Sequence, residues 1–309
     1  MEFNIEDYLN SLPLDTTEID VSGKGLTYLP DLSRFKQLTH LYCCVNQLTW
    51  LPHLNDNLQV LICSSNKLTY LPPLNDNLQE LYCDRNKLTY LPPLNDNLQE
   101  LYCYRNQLTE LPHLNDNLQE LYCDRNKLTY LPPLNDNLTH LFCSYNLLTW
   151  LPPLNNKLTL LECDRNKLTE LPHLNDNLEY LDCHHNQLTE LPPLNNILKS
   201  LNCHHNQLTW LPPLNNNLQE LICYHNNMYN ENIEKYKNDY CNDNNKIIQT
   251  LRNFRYTYYA LKYKNHFKRW LWEKVREPKI MAKFHPSHLN ALEETDDLEV
   301  FLEDWIKND

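Results

Sequence analysis

Residues 98–117 read Leu-Gln-Glu-Leu-Tyr-Cys-Tyr-Arg-Asn-Gln-Leu-Thr-Glu-Leu-Pro-His-Leu-Asn-Asp-Asn, and the pattern L-x-x-L-x-C-x-x-N-x-L-x-x-L-P-x-L-N recurs every 20 residues from about 41 to 228. Asparagine falls at 46, 66, 86 and on to 226, and cysteine keeps the same step from Cys43 to Cys223. A fixed period of this length predicts a solenoid, in which each copy buries its apolar face only against its neighbours. Within a copy, Leu101 and Cys103 alternate with the two-residue period of a short strand, and Leu98 and Leu108 close the core around them. The remainder, Leu111-Pro112-His113-Leu114-Asn115-Asp116-Asn117, carries proline and leaves too little chain for an α-helix of ordinary length. It is expected to return as extended, polyproline-like chain.

These residues resemble the leucine-rich repeat family over about two thirds of the chain. The thin return and the L-P-x-L-x-x-x-L-x-x-L-x-C-x-x-N-x-L order are similar to the short repeats of the YopM and IpaH bacterial effectors, with cysteine where those usually carry an aliphatic residue. The resemblance implies a horseshoe with a parallel β-sheet on its concave face and an extended convex side. Three regions are expected: an N-terminal helical cap at 1–15, about 11 repeats at 16–228, and a helical C-terminal module at 229–309.

Both ends of the array depart from the pattern. Ile5, Tyr8, Leu9 and Leu12 share one helical face ahead of Pro13 and can cap the first copy. In that copy, Thr16-x-x-Ile19-x-Val21-x-x-Lys24-x-Leu26, lysine takes the asparagine place, as an atypical end repeat allows. At the far end, 246–276 reads as a long helix and 286–294 and 296–307 as two shorter ones. Basic residues outnumber acidic ones 11 to 2 over 246–283, and acidic ones outnumber basic 8 to 1 over 284–309. Tyr256, Tyr259, Tyr263, Phe267, Trp270 and Trp272 are expected to cover the open end of the solenoid. The run from Lys268 to Pro286, with Leu302-Glu-Asp-Trp305, resembles a C-terminal segment of giant DNA virus proteins, which implies a viral protein in host cytosol.

Two glycines against 19 prolines reflect repeat chemistry, since most prolines stand at fixed places such as Pro52, Pro72 and Pro92. Ten of the 12 cysteines occupy one inward column, where a reduced thiol serves as a small hydrophobe. No apolar stretch reaches the roughly 18 residues that span a bilayer, and the acidic N-terminus lacks the pattern of a signal peptide. The expected setting is therefore cytoplasmic, with no membrane partner. Residues 1–228 hold 13 Lys and Arg against 26 Asp and Glu, a balance that disfavours nucleic acid and favours a protein partner.

Where the copies differ, they differ at strand positions pointing away from the core. One column runs Tyr42, Ile62, Tyr82, Tyr102, Tyr122, Phe142, Glu162, Asp182, Asn202 and Ile222. Aromatic residues in a row on an exposed sheet either mark a contact surface or stabilise neighbouring strands, and Tyr42, Tyr82, Tyr102, Tyr122 and Phe142 are the first candidates for partner binding. The pair after each cysteine supplies Arg85, Arg105, Arg125 and Arg165, then His184, His185, His204, His205 and His225. Arginine can pair with the adjacent aspartate or anchor a partner's carboxylate or phosphate. The five imidazoles with Asp182 offer zinc-type ligands, yet His184 and His185 as chain neighbours need not converge, and the sequence assigns no metal. Histidine also titrates near neutrality, which leaves a pH-dependent contact open.

No catalytic set or cofactor motif is present. Cys241-Asn242-Asp243 matches the C-x-D nucleophile motif of IpaH-type ubiquitin ligases, but about 80 residues after the repeats are too few for that ligase domain. The reading is a non-catalytic, monomeric protein-binding module. An adaptor that recruits other machinery through its C-terminal helices is the alternative.

Overall fold

The computed structural model describes residues 3–228. The expected C-terminal module at 229–309, with Cys241, lies outside the described residues. One short helix, α1 (Ile5–Ser11), precedes eleven strands of three residues each, from β1 (Glu18–Asp20) and β2 (His40–Tyr42) to β11 (Glu220–Ile222). The strands stand side by side in chain order, all parallel, and equivalent residues face each other, so Leu81 pairs with Leu101 and Tyr82 with Tyr102. The predicted parallel-strand solenoid is the fold.

Helix α1 begins where Asn4 accepts hydrogen bonds from the N–H groups of Glu6 and Asp7 and occupies two donors of the first turn. Ile5 and Leu9 are buried, while Tyr8 and Leu12, from the same predicted face, are half-buried.

The core is a set of columns. Leucine at 41, 61, 81 and their equivalents, and cysteine from 43 to 203, have almost no exposed surface. The leucines at the outer positions, such as Leu98 and Leu108, are likewise closed off from water. Every cysteine among the described residues is a free thiol. Burial pushes the Cys63, Cys83 and Cys123 thiols far above their ordinary range, so the column is inert packing, as expected. The return segments form neither helix nor strand, and each contains a tight turn at positions such as 76–77.

A chain with so little regular structure must satisfy its backbone in another way. The asparagine that follows each strand does much of this. Asn106 Nδ2 donates to the carbonyls of Cys83 and Cys103, both at 3.0 Å, and its Oδ1 accepts from Leu88 N–H at 3.0 Å. One buried amide thus ties two consecutive copies together. A second asparagine ladder, which the sequence analysis did not identify, runs along the turn. There Asn115 Nδ2 donates to the carbonyls of Asn95 and Leu98, and Asn117 Nδ2 donates to Asp96 O at 2.7 Å.

The first copy shows what the ladder needs. Lys24 holds the asparagine place, and Asn46 of the next copy supplies the bonds to Lys24 N–H and Leu26 N–H. Gly23 stands one residue earlier with a φ of 66°, in the left-handed region. In the ten copies that follow, this position keeps the left-handed φ of 50–56° but carries a side chain every time: Val45, Ser65, Arg85, Arg105, Arg125, Tyr145, Arg165, His185, His205 and His225.

Because Asn126 satisfies three carbonyls and one N–H from a buried position, Asn126→Ala should destabilise the chain by about 3 kcal/mol in urea unfolding. Asn117→Ala, which removes an exposed partner of the turn, should cost under about 1 kcal/mol. Equal losses would show that the two ladders carry equal weight.

Candidate functional site

The first and third residues of each strand point to the exposed face of the sheet, and the two residues after the cysteine extend that face. At its centre, Tyr82, Tyr102, Tyr122 and Phe142 form a continuous stack. Their ring centroids are 4.1–4.3 Å apart and their planes lie within 14° of parallel. In-register pairing makes this unavoidable, because identical rotamers repeat at the strand spacing. Tyr42 is cut off from the stack by Ile62 and lies beside His40 instead.

The rings cover one another's faces and leave their edges to solvent, so each is half-buried. Their hydroxyls are engaged by a column that the sequence reading missed, the first residue of each strand: Tyr82 OH donates to Glu100 at 2.8 Å and Tyr102 OH to Glu120 at 2.9 Å. The signal was present in Glu80, Glu100 and Glu120, one residue before each leucine. Burial raises the pKa of Tyr82, Tyr102 and Tyr122, and the glutamate bonds add to the shift for Tyr82 and Tyr102.

The arginines stand at the left-handed positions. Arg85 and Arg165 each lie 3.9 Å from the preceding aspartate, as the sequence allowed. Arg125 and Arg165 also close over the two faces of Tyr145, at 3.9 and 4.9 Å from its ring centre. Arg105 continues the same row, its N–H bonded to Asp124 O. A left-handed conformation costs a residue with a side chain on the order of 1–2 kcal/mol relative to glycine. Ten residues with side chains held there in succession mark the row as one where side chains matter.

Carboxylates interrupt the face in several copies, and imidazoles follow beyond Asp182. Asp84 and Asp164 are buried, each taking a hydrogen bond from a serine hydroxyl of the preceding copy, Ser64 and Ser144. Burial raises Asp124 to a pKa of about 6. Glu162 rises to about 7, through burial first and then the charges of Asp182, Asp124 and Asp164.

The histidines form two adjacent stacks. His184 lies over His204 at 4.3 Å and His185 over His205 at 4.2 Å, with His225 continuing the second row at 4.3 Å. Asp182 Oδ1 accepts from His184 Nδ1 at 2.5 Å, and Asn202 Oδ1 accepts from His204 Nδ1 at 2.5 Å. Burial, aided by neighbouring positive groups, lowers His185 and His204 to a pKa of about 4 and also lowers His205. These three imidazoles are therefore neutral at pH 7, and the expected titration near neutrality moves into the acid range.

A further row went unread in the sequence. Trp50, Tyr70, Tyr90, Tyr130, Trp150 and Trp210 recur one residue before the leucine that opens each return segment, and all are more than 40% exposed. Alternation of Trp or Tyr with Glu110, Glu170 and Glu190 at that position was the available signal.

The family model for the leucine-rich repeat matches residues 177–195. Among solved structures, the leucine-rich effector YopM of Yersinia pestis is 30% identical with a TM-score of 0.64, covering 72% of this chain and 67% of that one. YopM of Yersinia enterocolitica is 32% identical with a TM-score of 0.51, covering 71% of this chain and 58% of that one. The functional domain of InlJ from Listeria monocytogenes, which includes a cysteine ladder, is 31% identical with a TM-score of 0.54, covering 71% and 56%. The chain thus spans less than three fifths of the last two. No curated protein sequence matches it.

The pKa of Glu162 gives a direct check on this electrostatic reading. A carboxyl raised from 4.5 to about 7 by folding contributes stability below pH 4.5 that is lost as the pH rises through 7. Glu162→Gln should therefore raise the unfolding midpoint at pH 8 and leave it nearly unchanged at pH 4.5, as read by thermal melts across that range.

Proposed function

The chain belongs to the leucine-rich repeat family, with 20-residue repeats of the bacterial-effector type, and from that premise we propose that it is a non-catalytic module that captures a protein on the exposed face of its sheet. The observation that carries this reading is the row of ten left-handed residues, all with side chains where glycine would relieve the backbone. Alongside that row runs the stack from Tyr82 to Phe142, whose exposed ring edges offer flat, rigid contact area of the kind enriched at protein interfaces. The half-exposed guanidinium groups of Arg85 and Arg165 supply planar donors beside it.

The partner is a protein with acidic side chains to meet the arginine row and apolar groups to meet the aromatic edges. Free, buried thiols support a reducing, cytoplasmic setting. The viral resemblance of residues 268–286 and 302–305 supports action inside a host cell. Burial holds the thiols of the core column protonated, which favours a packing role for them over a nucleophilic one.

Substitution at the left-handed positions tests this without disturbing the fold, because glycine suits that backbone. The full-length chain should capture a specific protein from eukaryotic cell lysate. The combined variant Arg105→Gly and Arg125→Gly should lose at least tenfold of it in quantitative capture, while Trp50→Ser with Trp210→Ser retains it. Equal capture by both variants, or loss only with the tryptophan pair, would place the contact elsewhere and overturn the sheet-face reading.

A further inference from the structure

We propose that His184, His185 and His204 form a binding site for a divalent transition-metal ion of the zinc class on the exposed face of the sheet. One ligand nitrogen from each of the three lies within 4.8 Å of the others. Zinc–nitrogen bonds of about 2.0–2.1 Å place tetrahedral ligands roughly 3.4 Å apart. The rings therefore need to close by little more than 1 Å, a rotation that side chains at the surface of a sheet can make. The cobalt, nickel and copper ions of the same charge suit imidazole as well.

Chain neighbours on a strand send their side chains to opposite faces, which is the reason His184 and His185 are poor ligands on paper. The left-handed backbone at His185, with a φ of 50°, breaks that alternation. Both rings come to the same face, their centroids 5.2 Å apart and their planes at 58°. His204 then arrives from the next copy, stacked on His184 and edge-on to His185 at 68°. Parallel rings alone cannot aim two nitrogens at one ion. The edge-on ring of His185 supplies the third direction.

The surroundings are those of ligand histidines. A ligating imidazole donates its other N–H to a carboxylate or carbonyl, which sets the tautomer and ring orientation. Here Asp182 takes the Nδ1 proton of His184 and Asn202 Oδ1 takes that of His204, while Asn202 Nδ2 donates to Asp182 Oδ2 at 2.9 Å and locks the two acceptors together. With Nδ1 as the donor in each ring, Nε2 is the nitrogen that would face a metal ion. His184 Nε2 in turn faces the buried Asp164 carboxylate at 3.4 Å. Two electron-rich atoms so placed are both satisfied by a cation beside them. Three protein nitrogens leave a fourth tetrahedral position for water.

Zinc titration of the full-length protein by calorimetry at pH 7.5, with thiols kept reduced, should show one tight site per chain. His184→Ala and His204→Ala should each abolish it, and Asn202→Ala should weaken it by about 10-fold or more. His113→Ala, a histidine outside the cluster, should leave it unchanged. Circular dichroism confirms that each variant is folded. Loading with cobalt gives a second reading on the unaltered chain: ligand-field bands without thiolate-to-cobalt charge transfer are expected. Absence of binding, binding insensitive to both histidine substitutions, or a thiolate spectrum would each overturn the proposal.

Discussion

A side-chain amide that bonds to two copies at once is the interaction on which the rest of this molecule rests. Three-residue strands and return segments without helix leave many carbonyls and N–H groups that local structure cannot satisfy, and those groups lie in or beside a dry core. Asn86, Asn106, Asn126 and their equivalents meet several of them simultaneously. The turn ladder of Asn75, Asn95 and Asn115 does the same on the other side of the copy. With both sides clamped, each copy sits in register on the one before it, and the leucine and cysteine columns close without gaps.

Register has a direct consequence for the surface. Because equivalent residues face each other along the whole sheet, whatever occupies one position becomes a continuous row. Tyrosines become a stack and histidines become two stacks, while Asp124 and Asp164 are set apart by Ser144, whose backbone N–H and hydroxyl bond to the two carboxylates. The chemistry of the exposed face is therefore amplified from single-residue choices. A change in one copy alters a row at one point, which is how one face carries an aromatic centre beside an imidazole cluster.

The core and the periodic organisation were legible in the sequence because both depend on spacing alone. Leu101 and Cys103 could be assigned inward from alternation. The surface was legible only as columns. Tyr82, Tyr102, Tyr122 and Phe142 do form one row, but Tyr42 does not join it, since Ile62 intervenes. The glutamate partners of the tyrosine hydroxyls and the exposed tryptophan row were missed, although both recur with the same 20-residue step.

By itself the sequence determined that this chain is a stack of 20-residue units with a parallel sheet and a leucine and cysteine core, because a period and a pattern of apolar residues admit one way of burying that surface. Only the tertiary structure decided what the exposed face can do. The left-handed backbone before each asparagine turns two consecutive side chains to one side, and the stacking of neighbouring copies then brings His184, His185 and His204 to a common point. Neither effect follows from residue type. Both follow from where the backbone places the side chains once the copies are in register.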